Sequence, residues 1–338
     1  MKILALQLKR IGDLILTTPA LAAIRKTWPE AHLALGVMDG TAALVPAISS
    51  VDGVVVFGKG RGFSPWQQVF RGGWDLCFDF TGNDRSALAS ALSLAKTRVA
   101  FEWVRRNRLR SLAYNSWSPS AVREVHTTRH YLDLIAQTAP QINSDAPDPL
   151  PELALPLADR QAAMSELQKS GIENAYALLH PGTARPEKYW RAERWAEVAA
   201  HLCEQYGLAT VFTCGPCEYE RAHVAAIPEA ECPGQSAILR PAKLLGLAGL
   251  VAGAQIVVSC DTAVVHLASA FRVPQVALFG PTNPFHWRPL QPRALVLSAT
   301  QPEAPLTDFQ PRMKGAPMER ISTAAVIRAI DSLLASPR

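Results

Sequence analysis

The stretch Gln255–Pro289, QIVVSCDTAVVHLASAFRVPQVALFGPTNPFHWRP, contains the pattern that decides the fold. Ile256–Cys260 is apolar and rich in β-branched residues, which predicts a buried strand. Asp261 or Thr262 can cap the helix that the spacing of the next apolar residues predicts. Gln275–Phe279 predicts a second strand. A strand, a helix and a strand in this order indicate a parallel sheet.

The loop at Asp261 is a candidate ligand site, because ligands of parallel sheets bind beyond the carboxyl ends of the strands. Free N–H groups at the start of a helix near Thr262 suit a phosphate. His266 lies four residues later and can face the same side of that helix. A capped helix with a core histidine would give the same pattern, so these residues alone leave both interpretations open.

The length and composition predict a globular protein of two domains. A chain of 338 residues exceeds one typical hydrophobic core, and 49% of it is hydrophobic with 19% charged. The N-terminal apolar run is short and interrupted by Gln7, which disfavours a signal peptide. No window of 18 uninterrupted apolar residues predicts a membrane-spanning helix. We therefore expect a cytoplasmic protein.

Strands and helices alternate twice along the chain. The segment 141–156 is rich in Pro, Asp and Ser and predicts a linker between the two halves. This places one α/β domain at residues 1–155 and a second at 156–321. An amphipathic pattern at Ser322–Ala335 predicts a closing helix.

Asp13 is the first candidate for chemistry. Lys2–Leu8 predicts a strand, and a helix is expected to begin at Pro19 with Thr18 as its cap, which places Asp13 in the loop between them. Gly12 beside it would let a substrate approach the backbone closely. A helix-capping aspartate is the alternative interpretation of the same residue.

The loop His180–Trp190 in the second half contains Gly, Thr, Arg and Lys, the groups that cradle phosphate. The motifs of dinucleotide, P-loop, zinc-protease and α/β-hydrolase sites do not occur in the sequence. Cys214-Gly-Pro-Cys217 has the spacing of a redox motif. The chain is much longer than a thioredoxin domain and lacks a tryptophan before Cys214, which favours an ordinary loop.

The segment 96–110, KTRVAFEWVRRNRLR, contains one lysine, five arginines and one glutamate. A solvated face, a nucleic-acid surface and a surface for anionic lipid headgroups all fit this composition. No nucleic-acid fold signature accompanies it, so we expect no nucleic-acid partner.

Five motifs together resemble the ADP-heptose:lipopolysaccharide heptosyltransferases, glycosyltransferase family 9. The motifs occur in the family's order over almost the whole chain: Arg10–Leu21, His180–Trp190, Gly215–Glu218, Asp261–Ala268, and Phe279–Thr282 with Trp287 and Pro289. The resemblance implies a GT-B fold of the α/β class, with two Rossmann-like parallel-sheet domains facing across a cleft. The first domain would bind the acceptor and the second the nucleotide-sugar, and the C-terminal helix 322–338 could pack back on the first domain.

The resemblance also implies a reaction. A heptose would pass from ADP-L-glycero-D-manno-heptose to an inner-core sugar of the acceptor, which is the core and lipid A part of lipopolysaccharide. The anomeric configuration would be inverted, and no cofactor or divalent cation would be essential. Such an enzyme would be peripheral on the cytoplasmic face of the inner membrane. Two alternatives remain: a GT-B transferase with another nucleotide-sugar or a protein acceptor, and a non-catalytic nucleotide- or glycolipid-binding protein.

Matching the motifs residue by residue assigns roles. Asp13 would be the general base, and Lys188 would stabilise the charge on the leaving ADP. The other donor contacts would be Thr183, Glu218, Asp261, Thr262, Ala263 and His266. The acceptor contacts would be Arg10, Gly12 and Arg85. A glycolipid acceptor would also place the enzyme at a membrane surface, which favours Trp103, Arg105, Arg106 and Arg108 of the basic segment as membrane-facing residues. Ala263 stands where the family commonly has glycine, and Arg185 near Lys188 leaves open which cation faces the phosphates.

Overall fold

The computed structural model describes residues 1–142, 148–227 and 236–335. The chain divides into two compact units, Met1–Ala154 and Leu155–Arg338. This division lies one residue from the predicted boundary. Residues 143–147 of the predicted linker and the last three residues of the predicted C-terminal helix lie outside the described residues.

The first unit alternates strands and helices. Its strands are β1 (Lys2–Gln7), β2 (His32–Met38), β3 (Gly53–Phe57), β4 (Leu76–Asp79), β5 (Thr97–Phe101) and β6 (Ser116–Ser118). Its helices are α1 (Ile11–Thr27), α2 (Asp39–Ala42), α3 (Ser64–Arg71), α4 (Asp84–Leu92), α5 (Arg108–Ser111) and α6 (Thr127–Ala136). The six strands form one sheet in the order β3-β2-β1-β4-β5-β6, the strand order of a Rossmann fold. All its pairings are parallel.

Helix α1 starts earlier than the sequence indicated. It begins at Ile11, so Pro19 lies inside it and Asp13 lies in its first turn; the prediction of a helix beginning at Pro19 is wrong. A proline lacks the N–H that would bond to the carbonyl four residues before it, here that of Ile15. The Thr18 hydroxyl donates to this carbonyl at 2.8 Å. That local hydrogen bond is the physical reason why the helix continues through the proline.

The second unit repeats the alternation. Its strands are β7 (Tyr176–His180), β8 (Ala209–Thr213), β9 (Ser236–Leu239), β10 (Ile256–Cys260), β11 (Gln275–Phe279) and β12 (Ala294–Ser298). Its helices are α7 (Leu157–Lys169), α8 (Ala192–Tyr206), α9 (Glu218–Ala225), α10 (Leu244–Gly253), α11 (Ala263–Ala270) and α12 (Thr323–Leu334). The strands of the opening stretch, β10 and β11, match the predicted bounds.

The sheet of the second unit has the order β12-β11-β10-β7-β8-β9, which is again a Rossmann order. Every residue of β7 and β10 is buried, because helices cover both faces of a parallel sheet. The chain leaves β7 toward one side of the sheet and enters β10 on the other. The gap between the carboxyl ends of these two strands is therefore the switch point at which such sheets bind ligands.

Helix α12 belongs to the second unit. Its buried residues Val326, Ile330 and Leu333 join the core cluster that contains Trp195 of α8 and Leu278 of β11. The apolar face of this helix is used within the second unit, and the expectation that the helix packs back on the first domain stays a prediction. In the described ranges no helix combines the length and the apolar character needed to cross a membrane.

Candidate active site

In the first unit, Asp13 lies just beyond the carboxyl end of β1, in the first turn of α1. The Tyr131 hydroxyl donates to its Oδ1 at 3.0 Å. The backbone N–H of Arg10 approaches its Oδ2 at the long distance of 3.4 Å. One carboxylate oxygen is therefore held by a tyrosine, and the other is only weakly engaged.

Tyr131 is a buried donor on α6, with 1% of its surface exposed. Burial and the neighbouring Asp13 carboxylate raise the pKa of Tyr131 well above its usual value, so the hydroxyl keeps its proton. Phe80 packs edge-on against its ring with centroids 5.4 Å apart. Tyr131 lies far from Asp13 in the sequence, which gave no sign of this pairing.

The loops that follow β1 and β4 are joined at the switch point of the first sheet. The Thr81 hydroxyl accepts from the Leu8 N–H at 2.7 Å. Asp79, fully buried at the end of β4, accepts from the N–H groups of Thr81 at 2.7 Å and Gly82 at 3.0 Å. Burial raises the pKa of Asp79, and hydrogen bonds from Ser86 and Tyr114 oppose that rise. Sequence reasoning did not identify this positioning carboxylate.

The predicted acceptor residues lie on this edge of the first unit. Arg10 is exposed and immediately precedes α1, and Gly12 is partly buried in its first turn. Arg85 is exposed in the first turn of α4, where its guanidinium lies 3.2 Å from the Met38 sulfur. Together with Asp13, these residues border the ends of β1, β2 and β4.

In the second unit, Lys188 and Asp261 form an ion pair at the switch point. The Lys188 Nζ lies 2.5 Å from Asp261 Oδ2, and about a tenth of each side chain is exposed, 11% and 10%. Lys188 comes from the loop after β7, and Asp261 from the loop after β10. Arg185 is exposed and pairs with Glu187 at 2.6 Å. Of Lys188 and Arg185, Lys188 is therefore the cation whose side chain is buried at the switch point.

Helix α11 starts beside this pair. Thr262 is its cap, and the side chain accepts from the Val264 N–H at 3.3 Å. Ala263 is the first helical residue and is not among the described residues with a left-handed backbone. Its methyl group therefore causes no backbone strain where the family commonly has glycine. His266 follows one turn later and is 5% exposed.

The start of the loop after β7 is tightly packed. Thr183 is 5% exposed, and its hydroxyl accepts from the Arg185 N–H at 3.3 Å. A Cβ at Gly182 would lie 3.1 Å from the Cys214 backbone, so a larger residue would require the loop at Cys214 to shift by a few tenths of an ångström. His180 and the Thr213 hydroxyl lie 2.8 Å apart. Burial lowers the pKa of His180 to about 4, so this histidine is neutral near pH 7.

Helix α9, which follows the loop after β8, contains two glutamates with different surroundings. Glu218, the predicted ribose contact, is exposed at the start of α9. Glu220 is 4% exposed, and burial raises the pKa of its carboxyl. A Cβ at Gly215 would fall 1.9 Å from Glu220 Oε2, so this carboxyl lies directly against the loop. Burial on the inner side of α9 distinguishes Glu220, which the motif comparison did not single out.

An aromatic pair lies next to Lys188. Tyr189 stacks on His223 of α9 with ring centroids 4.1 Å apart and planes 6° from parallel. Among the described atoms, the Tyr189 hydroxyl and His223 Nε2 are buried without a hydrogen-bond partner. The sequence offered no signal for this pair.

The surroundings of the CxxC motif favour an ordinary loop over a redox site. Cys214 and Cys217 are both free. Burial raises the pKa of the Cys214 thiol, whereas reactive cysteines of such motifs have lowered values. The motif therefore serves as the connection between β8 and α9.

The predicted membrane-facing residues follow β5. Trp103 is 39% exposed, and Arg105, Arg106 and Arg108 are also exposed. They lie in the turn Glu102–Arg106 and in α5. Arg105 is partly engaged, because its guanidinium lies 5.2 Å from the Trp117 ring centre.

Known proteins resemble the chain over most of its length. The family model described as glycosyltransferase family 9 (heptosyltransferase) matches residues 63–316. Lipopolysaccharide heptosyltransferase 1 of Pseudomonas aeruginosa is 29% identical in an alignment of 302 positions that covers 84% of this chain and 80% of that protein. Lipopolysaccharide heptosyltransferase 3 of Escherichia coli is 24% identical in an alignment of 344 positions that covers 96% of this chain and 97% of that protein.

Solved structures support the fold assignment. A glycosyltransferase family 9 protein of Veillonella parvula has a TM-score of 0.80 and 23% identity, covering 99% of this chain and 97% of its own. The ADP-heptose heptosyltransferase II of E. coli has a TM-score of 0.80 and 19% identity, covering 99% of both chains. At these identities the likeness bears on fold alone, and with the two Rossmann sheets it confirms the GT-B class.

Proposed function

Because the chain belongs to glycosyltransferase family 9 (heptosyltransferase), we propose that it transfers a heptose from ADP-L-glycero-D-manno-heptose to an inner-core sugar of lipopolysaccharide. The observation that carries the proposal is the buried Lys188–Asp261 pair at the switch point of the second Rossmann sheet. One solved relative, the E. coli heptosyltransferase WaaC, was determined both with ADP and with ADP-2-deoxy-2-fluoro heptose, which supports an ADP-linked donor.

The second unit supplies the donor half of the proposed site. The diphosphate would bind at Lys188, at Thr183 and at the N–H groups of Thr262 and Ala263, since a helix N-terminus and a lysine both favour negative charge. Asp261 would orient the Lys188 ammonium or bind sugar hydroxyls, and His266 would contact the phosphate end from the next turn. Glu218 is proposed for the ribose.

The first unit supplies the general base. We assign this role to Asp13, whose Oδ2 retains capacity to accept a proton because Tyr131 holds only Oδ1. The acceptor oxygen attacks the anomeric carbon and its proton passes to Asp13. Arg10, Gly12 and Arg85 would position the acceptor sugar, and an arginine fork suits an acidic one.

The leaving group determines where electrostatic stabilisation is needed. As the bond from the anomeric carbon to the diphosphate oxygen breaks, negative charge develops on ADP, and Lys188 lies in a largely buried place to stabilise it. Attack on the face opposite the departing ADP inverts the anomeric configuration. We propose that this chemistry needs no divalent cation, so transfer should persist in excess chelator.

We also propose that the enzyme works at the cytoplasmic face of the inner membrane as a peripheral protein, since its acceptor would be a glycolipid. The exposed Trp103, Arg105, Arg106 and Arg108 support this location. Anionic headgroups attract such basic side chains.

The test is a transfer assay with the purified protein, ADP-heptose and inner-core oligosaccharides that carry no heptose or one or more heptoses. The product is analysed by mass spectrometry and its anomeric configuration by NMR. The proposal predicts one added heptose of inverted configuration and equimolar ADP. UDP- and GDP-sugars and a protein acceptor serve as competitors. Preferred use of any of these would replace the proposed function by the alternative transferase, and binding without turnover would indicate a non-catalytic protein.

A further inference from the structure

Two leucines next to the basic segment are exposed to an unusual degree. Leu109 in α5 is 81% exposed, and Leu112, which follows α5, is 79% exposed. Their spacing of three residues places them on the same side of this turn of helix. Large apolar side chains exposed together indicate an interaction surface rather than a solvated one. We call Glu102–Leu112 the docking segment.

The charges of the docking segment indicate what it contacts. It contains four arginines and one glutamate. Glu102 lies 3.5 Å from Arg105, whereas Arg106 and Arg108 form no salt bridge with any described residue. Free guanidinium groups around exposed leucines match a surface with anionic headgroups above an apolar layer.

The docking segment is fixed to the body of the first unit. Val104, 1% exposed, packs in a buried cluster with Ala87, Ala100 and Ala113. The Asn107 side chain caps α5 by accepting from the Arg110 N–H at 3.1 Å. The leucines are therefore presented from a packed base.

The docking segment also contacts Gly82–Arg85, which includes the predicted acceptor contact Arg85 and which we call the acceptor loop. Arg110 Nε lies 2.5 Å from Asp84 Oδ1, and its Nη1 lies 3.5 Å from the Gly82 carbonyl. The Trp103 ring covers Gly82, since a Cβ there would lie 2.7 Å from it, and Gly82 has a left-handed φ of +70°. The residues that precede Arg85 are thus held by the docking segment.

We propose that Leu109 and Leu112 insert into the lipid of an anionic bilayer, so that the acceptor loop Gly82–Arg85 is held at the membrane surface. Arg106 and Arg108 contact headgroups, and Trp103 lies at the same level beside Gly82. Placement of the acceptor loop rests on the proposed function, whereas lipid binding does not. Each arginine should strengthen binding roughly fivefold, and each buried leucine roughly tenfold or more.

The first experiment is co-sedimentation with vesicles of phosphatidylcholine alone and of phosphatidylcholine with phosphatidylglycerol. The wild type should bind the anionic vesicles in a salt-sensitive manner, and Leu109→Ser/Leu112→Ser should bind them at least tenfold more weakly. The matched control is Leu157→Ser/Met164→Ser, which removes two side chains of the second unit that are 68% and 57% exposed. This control should bind like the wild type.

Equal binding by the leucine variant and the control, or no binding by the wild type, would overturn the inference. A leucine-dependent dimer in sedimentation velocity, without vesicle binding, would overturn it in favour of a second copy of the chain. The two proposals can be tested separately. If both hold, the leucine variant should keep transfer to the soluble oligosaccharide and lose transfer to an acceptor embedded in vesicles. If the wild type binds vesicles but transfers no heptose, only the proposed function fails.

Discussion

The Tyr131 hydroxyl donates a 3.0 Å hydrogen bond to Asp13 Oδ1 across 118 positions of sequence. Tyr131 is held by burial, since it is 1% exposed and packs against Phe80. A donor of fixed position selects one orientation of the carboxylate and leaves Oδ2 for another proton donor. This is the arrangement in which a base is oriented by a further group.

Replacing Tyr131 by phenylalanine should lower kcat for transfer by roughly tenfold, because a hydrogen bond to a charged group contributes about 1.5–3 kcal/mol. The acid limb of the pH–rate profile should move to higher pH, since a lost donor to the carboxylate favours its protonated form. Steady-state kinetics across pH measure both effects. Tyr206→Phe removes a similar bond, to Asp331 at 2.8 Å in the second unit, and should leave the profile unchanged. A Tyr131→Phe profile that coincides with the wild type would show that the bond does not orient the base.

Replacing Lys188 by methionine should cost about 3–5 kcal/mol of unfolding free energy, because Asp261 would remain largely buried without its counter-charge. ADP affinity should fall at least roughly tenfold. Adding Asp261→Asn should restore part of the stability but not the affinity. Chemical denaturation and calorimetric titration with ADP separate the two effects. Arg185→Met is the control. Because Arg185 is exposed, this variant should change the unfolding free energy by less than about 0.5 kcal/mol. A larger loss of ADP affinity in Arg185→Met than in Lys188→Met would assign the phosphate contact to Arg185 instead.

Stability should fall on acidification because of His180. Burial lowers the pKa of His180 to about 4, while an exposed histidine has a value near 6.5. The unfolded chain therefore binds the proton more readily. The contribution of neutral His180 to the free energy of unfolding is full above about pH 6.5 and is lost as the pH falls toward 4. In total it is about 3 kcal/mol. Urea unfolding of the wild type and of His180→Asn, at pH about 7 and about 4.5, measures the difference. An identical pH dependence in the two proteins would contradict this account.

The double variant Cys214→Ser/Cys217→Ser should retain transfer activity within about twofold, because the loop connects β8 to α9 and the buried Cys214 has a raised pKa. Iodoacetamide should modify Cys214 slowly in the native protein. Loss of transfer with unchanged thermal stability would instead assign chemistry to these thiols.

Local sequence patterns predicted much of the fold. Ile256–Cys260 and Gln275–Phe279 were recognisable because central parallel strands are continuously apolar. The start of α1 was not recognisable from the sequence. A proline usually marks the first turn of a helix, and the Thr18 hydrogen bond that compensates for Pro19 is visible only in the structure. The position of α12 depends on which part of the protein its apolar face covers, and the periodicity of the helix does not specify that part.

The site was predicted where motifs are contiguous and missed where partners are distant. The Thr262 cap followed from residue type. Burial distinguishes Lys188 from the exposed Arg185, and which of them contacts phosphates stays a prediction. Tyr131 and Asp79 lie far from Asp13 in the sequence, and neither belongs to a recognised motif. Their roles depend on hydrogen bonds that periodicity does not encode.

The central claim is that Asp13 is the base of a heptosyltransferase, and the most direct test compares Asp13→Asn with the wild type in transfer and in ADP binding. Asparagine keeps the shape and can still bond to Tyr131, but it cannot take up the proton of the acceptor hydroxyl. The account predicts that kcat falls by about 100-fold or more while calorimetric ADP affinity is unchanged. Turnover of ADP-heptose by Asp13→Asn at the wild-type rate would contradict it.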